Sequence, residues 1–239
     1  MTAWRRVQNT VRKEVEVGTV IGYQLPKKLS IVLLDAKHFK IRREPYTLYV
    51  AFDPERKKPL CWLLLPRNEM REGYEQILHL FRFKRYNIEA FVTDWHTTIV
   101  GTVKDWHPKA VHQRCAAHLL QEVFRKIGGR RLYATEYGKE LWKIFRKGAI
   151  GFEKQGEARR YLNRMKLHYP ERTKGFEVLE KGLDGIYQFT KRKDLLIPRT
   201  SNAIENFMGV LEQRLKTFRS AKSPEALIKI ISQLIKFKY

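Results

Sequence analysis

The stretch Ile88–Leu120, IEAFVTDWHTTIVGTVKDWHPKAVHQRCAAHLL, decides the fold. Ile88–Thr93 is an apolar, partly β-branched run of strand length that leads straight into Asp94. Thr98–Trp106 has the spacing of a short helix, and Lys109–His112 reads as a short strand. Arg114–Ile127 then reads as a helix stopped by Gly128-Gly129. Strand, helix, strand and helix in that order predict an α/β core with helices covering the sheet.

Three strand-like segments precede this stretch. Leu29–Asp35 (LSIVLLD) is a compact β-branched run that ends in an acid. Thr47–Asp53 (TLYVAFD) alternates apolar and aromatic residues until Pro54 stops it, and Leu60–Leu65 (LCWLLL) lies between Pro59 and Pro66. Their close spacing, with turn signals between them, predicts an antiparallel meander. Met70–Arg85 follows, with Tyr74, Ile77, Leu78 and Phe81 at helical spacing.

Beyond Gly129 the texture changes. Between Arg125 and Lys181 the chain carries 16 Lys plus Arg and 7 Glu, with no Asp, in helical patterns. This predicts a helical insertion that lays a positive face on a phosphate backbone, with a solvated charged face as the alternative. A long helix is expected from about Asn202 to Phe218, with Ile204, Phe207, Met208, Leu211, Leu215 and Phe218 on its apolar face, and another near Pro224. The division expected is a short basic segment (1–28), a first part of the core (29–129), the insertion (130–198) and closing helices (199–239).

Charge narrows the partner. Lys and Arg number 48 against 25 Asp and Glu, a formal net charge of +23. Such an excess points to a polyanion, either nucleic acid or an anionic membrane surface. The longest apolar runs, around Ile31–Leu34 and Cys61–Leu65, are too short to span a bilayer, and no basic amphipathic helix dominates. Nucleic acid is therefore the expected partner, with no membrane role. Two cysteines, Cys61 and Cys115, and no apolar signal region in Met1–Gly18 suit a reducing, cytoplasmic setting, nucleoid-associated in a prokaryote. Met1–Gly18 is basic, yet too short for a complete helix-turn-helix domain.

Three acids stand out. Asp35 and Asp94 each close an expected strand, a position where ligands of α/β sheets gather, and Glu205 falls in the first turn of the long C-terminal helix. Three carboxylates brought together repel unless cations lie between them, and Mg²⁺ or Mn²⁺ suits such oxygen ligands. Two such ions can activate a water or a 3′-hydroxyl and stabilise the leaving oxygen in phosphoryl transfer. Each acid also has a structural reading: a turn or cap for Asp35 and Asp94, and for Glu205 a capping box with Asn202. His112, Cys115 and His118 recur every three residues, which suggests zinc. A structural zinc site takes four ligands, so a buried Cys with a hydrogen-bonded His is the competing reading.

Three motifs carry a resemblance. FVTDWHTTI (Phe91–Ile99), VHQRCAAHLL (Val111–Leu120) and RTSNAIENFMGVLEQRLKTFRS (Arg199–Ser220) resemble, in order, the second-Asp, Cys-x-x-His and Asn-x-x-Glu motifs of DDE transposases of the Mutator-like and IS256-type group. The intervals agree as well, with 59 residues from Asp35 to Asp94 and 111 from there to Glu205. The resemblance implies an RNase H-like fold: a mixed five-stranded sheet flanked by helices, with a helical insertion before the last catalytic helix. It implies metal-dependent DNA cleavage and strand transfer, with Asp35, Asp94 and Glu205 as catalytic and metal-binding residues and the use of two Mg²⁺ or Mn²⁺ ions. Double-stranded DNA, as element ends and target, would be the partner of a homodimer or larger assembly.

Lys37, His38, Lys40, His96, His118, Arg214, Lys216 and Arg219 are the candidate nucleic-acid contacts. Trp95 and Trp106 either stack on a base or fill the core. Three other readings stay open: a nuclease of the same fold without strand transfer, a non-catalytic DNA-binding remnant, and a basic RNA-binding protein.

Overall fold

The computed structural model describes residues 21–22, 25–217 and 223–238; the expected positions of Phe218 and Arg219, and most of the basic segment 1–28, lie outside the described residues. The strands are β1 (Ile21–Gly22), β2 (Ile31–Ile41), β3 (Glu44–Asp53), β4 (Lys58–Leu65), β5 (Ala90–Thr93) and β6 (Val111–Arg114). The helices are α1 (Arg71–Phe83), α2 (Thr97–Trp106), α3 (Ala116–Ile127), α4 (Gly129–Tyr133), α5 (Glu136–Ile150), α6 (Gln155–His168), α7 (Thr173–Ile186), α8 (Asn202–Thr217) and α9 (Pro224–Lys238). The sheet runs β1-β4-β3-β2-β5-β6, so the five expected strands are all present and the two-residue β1 joins them at one edge. This is the expected mixed sheet with flanking helices, a helical insertion and a final long helix. Among the described residues no helix is long and apolar enough to cross a membrane.

Two compact units divide the chain. The first comprises residues up to 89, 101–108 and 202 onwards; the second comprises 90–100 and 109–201.

In the first unit β2, β3 and β4 form the antiparallel meander, with Asp35 opposite Val50 and Val50 opposite Trp62. β2 differs from expectation. It does not end at Asp35 but continues to Ile41, which leaves Asp35 as the fifth of its eleven residues. The extension exists because Arg42 and Arg43, both at positive φ (52° and 74°), make a two-residue turn that pairs Ile41 with Glu44. Such a turn matches the twist of a hairpin and usually draws Asn or Gly, so two arginines do not advertise it. β3 is buried at every position from Thr47 to Asp53, as expected of a strand covered on both faces. Phe52 of β3 packs on Phe207 of α8, with ring centroids 6.1 Å apart. Tyr49 meets Tyr74 of α1 edge-on at 4.9 Å, and its hydroxyl accepts the Met70 amide at 2.8 Å. Asp53 serves as a turn residue: Oδ1 accepts the amides of Glu55 and Arg56, and Oδ2 pairs with the Arg56 guanidinium at 2.7 Å.

The second unit holds the parallel pair β5–β6 and the helices α3 to α7. Ala90 lies opposite Val111 and Thr93 opposite Arg114. The core of this unit includes Leu119, Val123, Leu141, Phe145, Leu162, Phe176, Leu179 and Leu183, one apolar stripe from each of α3, α5, α6 and α7. Phe145 and Phe176 sit 4.7 Å apart, and Phe124 meets Trp142 edge-on at 5.3 Å. Buried Gln113 ties β6 to the end of α7: its amide nitrogen donates to the Ile186 carbonyl at 2.8 Å, and its oxygen accepts the Phe189 amide at 2.9 Å.

Candidate functional site

Asp94 follows β5 directly, where the chain turns into α2. Its Oδ1 accepts the His96 amide at 3.0 Å, the local turn bond that an Asp in this place makes readily. The carboxylate is half-buried on the wall of a cleft of about 740 Å³. That cleft belongs entirely to the second unit. His96 and His118 line it with Asp94, Arg125 and Lys181 bring positive charge, and Leu119, Val178 and Gly182 supply an apolar floor. Gly182 is required there, because a Cβ in its place would lie 2.3 Å from the Leu119 side chain. Arg125 is held by Glu122 through two bonds of 2.7 and 2.8 Å, so part of its charge is already balanced. The cleft therefore places a carboxylate, two imidazoles and a lysine around one space large enough for a nucleotide.

The cleft is braced from behind. The Trp95 indole donates to the Cys115 carbonyl at 2.9 Å, and the Arg114 guanidinium covers its ring at 4.6 Å. Trp95 is thus a support for the Asp94 turn, with at least one face already occupied. Cys115 occupies the N-cap position of α3, without a side-chain capping bond, and is fully buried. Burial raises the Cys115 thiol, but its hydrogen bonds with His118 and Ser201, together with the His118 charge, outweigh burial and leave it below its usual value. This is the buried cysteine with a hydrogen-bonded histidine that competed with zinc. His112 does not join them: it bonds the Thr93 hydroxyl at 2.8 Å, and burial, helped by Arg114, pushes its imidazole down to about 4.

The segment before Glu205 is pinned inside the second unit. The Ala116 amide donates to the Arg199 carbonyl at 3.0 Å, and the Ser201 amide donates to Cys115 Sγ at 3.3 Å. Arg199 itself donates to the carbonyls of Ala149, Ile150 and Phe152, at the C-terminus of α5, over 2.9–3.2 Å. Its guanidinium also lies over the rings of Phe189 (4.4 Å) and Tyr187 (5.0 Å). A cation at a helix C-terminus satisfies carbonyls that have no partner within the helix. No role for Arg199 follows from its position in the motif alone.

Asp35 and Glu205 belong to the first unit. Asp35 is half-buried in mid-strand, with Oδ1 accepting the Ala36 amide at 2.9 Å. Glu205 is half-buried in the first turn of α8. Asn202 is already the first helical residue, so Glu205 sits one position beyond the spacing of the expected capping box. Lys37 pairs with Glu212 of α8 at 3.0 Å, and Lys216 reaches the same carboxylate at 3.3 Å. These two contacts pull the Glu212 carboxyl below its usual range. His38 bonds Thr47 at 3.1 Å and lies 3.5 Å from Glu69, while Lys40 and Arg214 are exposed. Trp106 donates to Glu75 at 3.3 Å.

A comparison with curated protein sequences finds no match. Among solved structures, the Drosophila P element transposase in its strand transfer complex aligns with a TM-score of 0.55 at 11% identity, over 98% of this chain and 85% of that one. At that identity the likeness is one of fold. The catalytic core domain of HTLV-2 integrase in complex with magnesium aligns with a TM-score of 0.29 at 14% identity, over 51% of this chain and 88% of that one. The family model described as "Transposase, Mutator family" matches residues 7–237, nearly the whole sequence. With an RNase H-like core, the Asp94 turn and the Cys115–His118 pair in place, the chain belongs to the Mutator family of transposases.

Proposed function

We propose that the chain catalyses divalent-metal-dependent DNA strand cleavage and strand transfer, with Asp35, Asp94 and Glu205 as its catalytic carboxylates. The observation that carries this reading is the Asp94 carboxylate on a cleft wall that also holds His96, His118 and Lys181, in a chain of the Mutator transposase family. Strand transfer, named for the P element complex that shares the fold, is the reaction taken over.

The donor chemistry decides which ion fits. Carboxylate oxygens suit Mg²⁺ or Mn²⁺. Cys115 and His118 offer a second donor pair for a divalent ion, and a thiolate with an imidazole favours a softer metal. Cys115 Sγ is already committed to the Ser201 amide, which supports a positioning role for the Cys–His pair and leaves the hard ions to the carboxylates. When bound, such an ion supplies Lewis-acid activation of the attacking oxygen and stabilisation of the leaving oxygen. The protein's own part is orientation. The Asp94 turn is fixed by the His96 amide and the Trp95 brace, and Lys181 brings positive charge to the cleft in which a phosphate would sit. His118 is hydrogen-bonded to Cys115 and lines the cleft, which supports a role for it as donor to a phosphate oxygen.

The test combines purified protein, Mg²⁺ or Mn²⁺, and DNA carrying the ends that flank the gene, with Asp94→Asn as control. Joined products that need metal and vanish in Asp94→Asn are the expected result. Metal-dependent nicking without joining would establish the nuclease instead, and binding without any cut strand would establish the non-catalytic protein.

A further inference from the structure

We propose that the α5–α6 hairpin carries a face that grips the sugar–phosphate backbone of duplex DNA, formed by Lys143 and Lys147 of α5 and Arg160 and Arg164 of α6. The inference rests on the reading of the chain as a DNA-processing enzyme and assigns the duplex a place of its own on the second unit, on residues that do not line the Asp94 cleft.

Helix periodicity sets the face. On α5 the buried residues Leu141, Phe145, Gly148 and Ala149 turn inward, which leaves Lys143 and Lys147 exposed one turn apart. On α6 Ala158 and Leu162 turn inward, which leaves Arg160 and Arg164 exposed at the same spacing. The two pairs adjoin. Lys147 Nζ lies 5.2 Å from the centre of the Tyr161 ring, next in sequence to Arg160 and one turn from Arg164. Gly148 lies against Leu162 so closely that a Cβ there would come within 2.4 Å of it, so the helices pack without a gap.

Charge balance sets these four apart from Lys139, Arg159 and Lys166 on the same two helices. Lys139 is paired with Glu136, Arg159 with Asp184 at 3.8 Å and Lys166 with Glu177 at 3.8 Å. Among the described residues, Lys143, Lys147, Arg160 and Arg164 form no ion pair. Four uncompensated cations on one solvent-facing surface repel one another and are stabilised by a polyanion that releases its counterions on binding. Leu167, one turn beyond Arg164, is 82% exposed, and an apolar tip beside the cations suits contact with deoxyribose.

The experiment measures fluorescence anisotropy of a short labelled duplex against the full chain across a salt series. The fourfold variant Lys143→Gln, Lys147→Gln, Arg160→Gln, Arg164→Gln is compared with a control that removes four charges elsewhere, at Lys27, Lys28, Lys57 and Lys58. The hairpin variant is expected to lose at least about tenfold in affinity at moderate salt, and its log–log salt slope should fall by about 0.9 for each phosphate contact removed. The charge-keeping set Lys143→Arg, Lys147→Arg, Arg160→Lys, Arg164→Lys should bind as the wild type does, and an unchanged urea midpoint of the Gln variant excludes a folding defect as the cause. Equal losses in the hairpin and control variants would overturn the proposal, because the charge would then act diffusely. Single-stranded RNA bound as tightly as the duplex, and lost in the same variant, would overturn the choice of DNA. The catalytic reading stands or falls separately, since Asp94→Asn should abolish cutting while leaving duplex affinity unchanged.

Discussion

The Ser201 amide donates to the sulfur of Cys115 across 3.3 Å, and that contact fixes the chain just before the helix that carries Glu205. Both residues are buried. Cys115→Ala would leave the Ser201 N–H without its acceptor and remove a packed sulfur. The expected loss is about 1–3 kcal/mol, read from the urea midpoint. Cys115→Ser keeps an acceptor in the same place and should recover part of it. Equal stability of Cys115→Ala and the wild type would show that the contact contributes nothing.

Arg199 donates to three carbonyls at the end of α5 and lies over two aromatic rings. An ammonium has neither the planar fork nor the stacking face for this, so Arg199→Lys is not conservative. Thermal or urea unfolding should show a loss of about 1.5–3 kcal/mol, the range for hydrogen bonds to a charged group. A much smaller loss would mean that water serves those carbonyls as well.

His112 is held neutral by burial, with its imidazole pushed down to about 4. The unfolded chain binds a proton near pH 6.5, so between about pH 6.5 and pH 4 it carries more protons than the folded one. Stability is therefore full above about pH 6.5 and falls as the pH drops through that window. His112→Gln, which keeps a polar group beside Thr93, should flatten the dependence. Urea midpoints measured across the window check it, and an unchanged slope in the variant would assign the effect to another group.

Gly182 faces Leu119 where α7 crosses α3, at a distance a Cβ does not tolerate. Gly182→Ala should force the helices apart, cost about 1–3 kcal/mol and distort the floor of the Asp94 cleft. Loss of stability together with metal-dependent cutting is expected. Cutting lost at unchanged stability would instead point to a direct role for this position in substrate entry.

Much of the fold was legible because its strands are short apolar runs with clear stops and its helices have clean 3.6-residue stripes. The length of β2 was not legible. Its turn is built from Arg42 and Arg43, which lack the Asn-Gly signature, so LSIVLLD looked complete at Asp35. Asp94 and the Cys115–His118 pair were legible from local pattern. Arg199, Gln113 and the Trp95 brace were not, because each takes its meaning from partners far along the chain. No periodicity records that an arginine in a turn-rich segment will meet the end of a helix some fifty residues earlier.

The first unit gathers its residues from both sides of the 90–201 stretch, and that arrangement has a consequence for synthesis on the ribosome. Phe52 on the sheet waits for Phe207, and Lys37 for Glu212, until α8 has left the exit tunnel. The second unit, complete at Ser201, can bury its own core before then. During that interval the meander β2–β4 carries an uncovered apolar face, the kind of surface that recruits chaperones or other nascent chains.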